Sequence, residues 1–230
     1  MSIRGSKFAI DAYFDRFGFC ERQIEQPPPE GLGIVLVVPC YDEPDLVGAV
    51  KSLRACGRPH CETEVIVVIN SAVDAPEDVK ERNRKSAEQA RPYAHVIHCP
   101  DLPPKHAGVG LARKIGMDEA LRRFNGEGII VNFDADCRCD PNYLQAIEEH
   151  FLAHPETPGC SIYFEHPRGA ADLYELHLRY YVHGLRYARH PYAFHTIGSC
   201  MAVRSRVYME QGGMNKRKAG EDFYFLQKVI

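Results

Sequence analysis

Apolar residues along this chain fall into short unbroken runs, separated by longer stretches with a helical period. Ile34-Val35-Leu36-Val37-Val38 has no polar position and stops at Pro39, which predicts a strand buried on both faces. Glu64 to Ile69 and Gly128 to Phe133 read the same way; Ala94 to Ile97, Ser161 to Phe164 and Ile197 to Val203 read as shorter or mixed strands. Between them, Asp45 to Ala55 places Leu46, Val47, Val50 and Leu53 on one helical face. Further helices are expected over 77–90, 110–124, 142–154, 171–188 and 221–230. Ahead of the first strand, residues 6–20 predict a helix with an aromatic face of Phe8, Tyr13, Phe14, Phe17 and Phe19, and Pro27-Pro28-Pro29 then breaks the chain. The chain divides into a helical arm, 1–31, docked on a main domain, 32–230.

Alternating strand and helix units with continuous apolar strands predict an α/β fold: a mostly parallel central sheet with helices on both faces. In such sheets ligands bind beyond the carboxyl ends of the strands. The segments to watch are therefore Pro39-Cys40-Tyr41-Asp42-Glu43, Asn70-Ser71 and Asp134-Ala135-Asp136. No glycine-rich loop follows the first strand, which argues against a dinucleotide site and a P-loop. No G-x-S-x-G supports a nucleophile elbow, and no paired histidines with a glutamate on one helix face support a zinc protease.

Composition narrows the field. With 45% hydrophobic and 26% charged residues, global disorder is excluded. A net charge of −3 carries no footprint for nucleic acid. The longest apolar run is too short to span a bilayer, and Asp11 and Asp15 follow Ile10 too soon for a signal peptide. Nine cysteines, an odd number without repeated spacing, read as reduced thiols in a cytoplasmic protein.

Each candidate site has a plain alternative. Asp134 and Asp136 at a strand end form a hard oxygen site for Mg²⁺ or Mn²⁺ that can also hold a diphosphate, or they form a turn ahead of Pro141. Glu43 accepts hydrogen bonds from ribose hydroxyls, or sits in a charged turn. Glu221 and Asp222 open an apolar helix, either as a macrodipole preference or as a general base. Cys137 and Cys139 lack a second ligand pair, so no zinc is expected there. The helix over 171–188 carries Tyr174, Tyr180, Tyr181 and Tyr187, with Arg179, Arg186 and Arg189. It reads as a packed helix with snorkelling arginines, or as a wall suited to sugar stacking or anionic lipid phosphates.

Taken in order, five blocks resemble the family 2 glycosyltransferases of the GT-A fold. They are IVLVVPCYDEPDLVGAVKSL, EVIVVINSAVD, GVGLARKIGMDEAL, GIIVNFDADCRCDPNYL and TIGSCMAVRSRVYMEQGGMNKRKAGEDFYFLQKV. The resemblance covers 33–230. It implies inverting transfer of a sugar from a nucleotide-sugar donor, a UDP-sugar, to an acceptor hydroxyl, with Mn²⁺ or Mg²⁺ as cofactor. By position, Pro39, Tyr41 and Glu43 would border the nucleoside, Asn70 would meet the base, and Asp134, Ala135 and Asp136 would sit at the diphosphate. Asp134 and Asp136 would be metal ligands, Asp136 the more direct. Lys105 and Arg113 would lie near the diphosphate. Asp222 would be the catalytic base, with Glu221 its rival. The acceptor is a sugar, a lipid-linked or a small molecule; nucleic acid is not a partner, and a peripheral membrane contact stays open.

Three positions depart from the family pattern: Asn70 stands for an Asp, Asp42 for an Asn, and Lys114 for the Asn of A-R-N-x-G. The resemblance also implies a domain that continues beyond residue 230. The competing readings are a sugar nucleotidyltransferase of related fold, whose glycine-rich basic loop is absent between Pro39 and Leu53, and a non-catalytic scaffold.

Overall fold

The computed structural model describes the backbone of residues 3–230 and the side chains of residues 9–230. In chain order it contains α1 (Ile3–Phe17), β1 (Leu32–Cys40), α2 (Leu46–Arg54), β2 (Glu62–Ala72), α3 (Glu77–Ala90), β3 (His95–Leu102), α4 (Val109–Arg123) and β4 (Ile129–Asn132). It continues with α5 (Tyr143–Ala153), β5 (Gly159–Ser161), α6 (Asp172–Tyr187), β6 (Met201–Arg204), α7 (Ser205–Glu210) and α8 (Glu221–Val229). The six strands form one sheet in the order β3-β2-β1-β4-β6-β5. β1, β2, β3 and β4 run parallel, and β6 runs antiparallel to both β4 and β5.

The apolar runs account for the centre of this sheet. β1 lies between β2 and β4, with Val37 opposite Ile66 on one side and Asn132 on the other. Its residues alternate between two cores: Val35 and Val37 join α4, whereas Ile34, Leu36 and Val38 join α2 and α5. At about 25 cal/mol per Å² of apolar surface, covering both faces is the main source of stability here. α4 is buried on nearly every face. It can approach the sheet because Gly116 has no Cβ; one would collide with Val37 and meet Val68 at 3.0 Å.

The edges match expectation less well. The strand expected over 161–164 is the three-residue β5, Gly159–Ser161. β6 begins at Met201, because Ile197 to Cys200 makes a turn closed by the Cys200 N–H to the Ile197 carbonyl. β3 runs on to Leu102, paired with Ala72 of β2 across an irregularity. The short helix α7 had no apolar period to announce it. Among the described residues, no helix is long and apolar enough to cross a membrane.

The arm lies on the C-terminal half of α4. Tyr13 and Ile24 are buried, and the Gln23 and Ile24 N–H groups donate to the Glu119 carboxylate. Phe14, Phe17 and Phe19 join Tyr13 on that side through ring contacts or core packing. The Phe8 side chain lies outside the described residues.

Candidate active site

The carboxyl ends of β1, β2 and β4 open on one cavity of about 380 Å³. Its wall includes Pro39 near the end of β1, Tyr41 and Glu43 after it, Asn70 near the end of β2, and Asp134, Ala135 and Asp136 after β4. The turn between β3 and α4 adds Gly108, and the loop before α8 adds Lys218.

Tyr41 is more than half exposed, so its ring is free to take a flat ligand. The turn after it requires a left-handed residue: Asp42 has φ 53°. Asp and Asn are the ordinary non-glycine occupants of that conformation, which explains why Asp serves where the family pattern has Asn. The Asp42 N–H donates to the buried Asn83 amide at 2.8 Å, and Arg82 grips the Asp42 carboxylate. The hydrogen bonds from Arg82 hold the Asp42 pKa below the usual range. Beside it, the Glu43 carboxylate accepts from the Asp45 N–H at 3.1 Å.

Asn70 is buried. Its Nδ2 donates to the Gly108 carbonyl at 3.0 Å, and since that carbonyl can only accept, the amide orientation is settled. The Asn70 Oδ1 accepts no hydrogen bond among the described residues, which leaves it as an acceptor on the cavity wall.

Asp134 and Asp136 differ sharply. Asp134 Oδ1 accepts from Arg113 Nη2 at 2.7 Å, and burial raises its pKa despite that cation. Asp136 is exposed and has no ion pair among the described residues. Arg113 itself is buried and also pairs with Glu221. One guanidinium thus ties the end of β4 to the start of α8. It fits because Gly198 has no Cβ; one there would overlap the guanidinium. Glu221 is buried, its pKa raised chiefly by burial, and its carbonyl accepts from Asn215 Nδ2 at 2.9 Å.

Asp222 follows in the first turn of α8, where its charge reaches both Asp134 and Glu221. Its Oδ1 accepts from the Phe223 N–H at 2.7 Å.

Of the residues singled out in the sequence, Glu221 and Asp222 do not line the cavity, and neither does Lys105. It is exposed in the turn that follows β3, closed by the His106 N–H to the Pro103 carbonyl. Lys218 supplies a cation at the cavity instead, packed over Gly108. The basic run Lys216-Arg217-Lys218 just ahead of Glu221 was the available signal. Arg113 lies behind the cavity wall and reaches the site through Asp134. Cys139 contacts Cys56 at 3.4 Å, and Cys137 lies against Asp136.

A divalent cation of the Mg²⁺ type takes one or two carboxylates and completes its shell with phosphate oxygens and waters. No cluster of three ligating side chains exists among the described residues. A free Asp136 beside the tethered Asp134 fits an ion held mostly by a bound diphosphate.

The family model described as Glycosyl transferase family 2 matches residues 35–212. No curated protein is a significant match. Among solved structures, S. aureus TarS 1-349 in complex with UDP-GlcNAc gives a TM-score of 0.58 at 16% identity, over 86% of this chain and 53% of that one. The mannosyltransferase PcManGT from Pyrobaculum calidifontis, in complex with GDP-Man and Mn²⁺, gives 0.54 at 20% identity, over 98% and 60%. The chain spans about half the length of the first solved structures it resembles. The profile match covers most of the main domain, and the fold agrees with it: the chain belongs to glycosyl transferase family 2, with the GT-A fold.

Proposed function

We propose that this domain transfers a sugar from a nucleoside-diphosphate donor, UDP-linked, to an acceptor hydroxyl with inversion. The observation that carries this reading is the convergence of Tyr41, Glu43, Asn70, Asp134 and Asp136 on one cavity at the ends of three parallel strands. Tyr41 stacks on the base and Glu43 accepts from ribose hydroxyls. The Asn70 Oδ1 accepts from a ring N–H, which uracil offers and cytosine does not. Lys218 faces the diphosphate. Asp136 holds the divalent cation, Mn²⁺ or Mg²⁺, whose charge offsets that of the leaving diphosphate. PcManGT, crystallised with GDP-Man and Mn²⁺, and TarS, crystallised with UDP-GlcNAc, support a donor of this class.

In the transfer, Asp222 takes the acceptor proton as the acceptor oxygen bonds to the anomeric carbon. The bond from that carbon to the diphosphate breaks on the opposite face. Arg113 and Glu221 act as positioning residues that fix the start of α8, and hence Asp222, beside Asp134.

Calorimetry with UDP, in Mn²⁺ and in EDTA, tests the donor site. Binding is expected only with the metal, and Asp136→Ala should weaken it by about tenfold or more, about 1.4 kcal/mol. Equal affinity in EDTA would refute the metal-linked site, a firm CDP preference would refute the role of Asn70, and a firm GDP preference, which keeps a ring N–H for Asn70, would refute the UDP-linked donor. Asp222→Asn should leave donor affinity within about threefold, while transfer falls by about a hundredfold or more. Near-normal transfer removes Asp222 from the role. A nucleotidyltransferase would instead release pyrophosphate from a nucleoside triphosphate, and a scaffold would bind no donor.

A further inference from the structure

α6 presents a second apolar side to solvent, opposite the inward one of Leu178, Val182 and Leu185. The helix is also held by polar contacts: Glu175 pairs with Arg179 and His166, and Arg186 Nε donates to the Ala193 carbonyl. Val182 is its one buried residue. Leu173, Leu176, Tyr180 and Tyr187 recur at intervals of three, four and seven, which places them on one stripe. They are 80%, 64%, 77% and 93% exposed. Tyr174 and Tyr181 flank the stripe and are more than half exposed. No other helix of the chain presents such a face to solvent among the described residues.

The C-terminal two-thirds of this helix carry charge of one sign. From Leu176 to Met209 the chain has no Asp or Glu, although its total charge is −3. Arg186 and Arg189 lie on or just beyond the helix, with His177, His183 and His190, and Arg168 precedes it. At its start Glu175 is paired as above, while Asp172 accepts from the Gly169 N–H at 2.9 Å and keeps its charge, so the attraction to an anionic surface comes from the C-terminal part of the helix and from Arg168. Two copies meeting through this stripe would bring like cations together. An anionic surface would meet opposite charge, and tyrosine and leucine suit the boundary between headgroups and acyl chains. Among the described residues no helix is long and apolar enough to cross a membrane, so a contact through α6 would lie in the interfacial plane.

We infer that the outward stripe of α6, Leu173-Leu176-Tyr180-Tyr187, docks the domain on an anionic phospholipid surface. The inference is independent of the donor-site reading, because vesicle binding needs neither donor nor metal. The stripe supplies apolar insertion, and Arg168 and Arg189 supply attraction that falls with ionic strength.

Vesicle flotation tests it, with phosphatidylcholine vesicles compared with vesicles also containing phosphatidylglycerol. The full chain should float with the anionic vesicles, less so at high salt, and much less with phosphatidylcholine alone. Leu176→Ser combined with Tyr180→Ser should weaken that binding by about tenfold or more, the scale of one or two large apolar side chains leaving a buried site. Both residues are exposed, so the thermal midpoint and the calorimetric affinity for UDP should match the parent, which separates loss of docking from loss of fold or donor site. Arg189→Gln should weaken binding roughly fivefold, as expected for the loss of one cation near an anionic surface. Failure of the parent to float would overturn the inference, as would equal binding by the double variant. So would light scattering that shows a dimer in the parent and a monomer in that variant.

Discussion

Arg113 and Lys114 are adjacent on α4, both buried, and they hold opposite sides of the molecule together. Arg113 turns toward the cavity and joins Asp134 to Glu221. Lys114 turns toward the arm and pairs with Asp118 at 3.0 Å. Asp118 also accepts from the Tyr13 and Tyr208 hydroxyls, each at 2.7 Å. Burial lowers the pKa of Lys114 and raises those of both tyrosines, with the Asp118 charge adding to the tyrosine shifts. The two networks differ in their ratio of charges. On the arm side one cation meets one carboxylate, whose Oδ1 also accepts from two neutral hydroxyls. On the cavity side one cation serves two carboxylates, with the charge of Asp222 close by. The arm side is built for docking; the cavity side keeps surplus negative charge beside the place where a cation-bearing donor would sit. Lys114 can thus replace the family's Asn without reaching the site.

Removing each cation should separate the two roles. Arg113→Met leaves Asp134 and Glu221 buried without a counter-charge, which costs about 3–5 kcal/mol of stability. It should also loosen the start of α8, so that donor affinity and transfer both fall. Denaturant unfolding and UDP calorimetry on one preparation would check this, and a stable Met variant with parental donor affinity would dissolve the distinction. Lys114→Met should cost less, about 1–3 kcal/mol, because Asp118 keeps two hydroxyl donors. Donor affinity should hold while the arm, through Tyr13, becomes easier to cleave in limited proteolysis. A smaller intrusion tests the same geometry: Gly198→Ala pushes a methyl against the Arg113 guanidinium, an overpacking cost of about 1–3 kcal/mol. Its loss should appear in donor binding as well as in the melting temperature, whereas Gly116→Ala, between α4 and Val37, should show mainly in the latter.

This comparison also marks where sequence reasoning stops. The buried strands were legible because a β-branched run with no polar position has few other uses, and parallel topology then places Tyr41, Glu43, Asn70 and Asp134 at one edge. The substitution of Asp42 could be read from the φ requirement of the turn only once its backbone was seen. What spacing could not show was that Arg113 meets Glu221, 108 residues later. It could not show that Lys105 sits away from the cavity that Lys218 lines. Those contacts depend on how α4 rolls on the sheet and on a loop with no apolar period. Spacing alone does not separate Glu221 from Asp222; the structure does, since Glu221 is buried against Arg113. The stripe on α6 had two readings, because an aromatic helical face looks alike whether it packs inward or outward.

The smallest effect probes whether Arg113 fully compensates the burial of Glu221. The Glu221 carboxyl has a pKa above its ordinary value of 4.5 in the fold, with burial the leading cause and Arg113 opposing it. A raised carboxyl pKa means that the folded state holds its proton longer than the unfolded state. Stability from this group is therefore full below about pH 4.5 and is lost as pH rises through the folded pKa. Glu221→Gln removes that titration. It also takes one partner from Arg113, but that offset does not vary with pH through Glu221. With Glu221 neutral, Asp134 has the guanidinium to itself, which adds a pH trend of the same sign. The melting temperature of Glu221→Gln relative to the parent should thus rise between pH 4 and pH 7. A gap that falls over that range would mean that Arg113 more than repays the desolvation. The tether would then be a net source of stability at neutral pH, and its charge ratio would no longer set it apart from the Lys114 side.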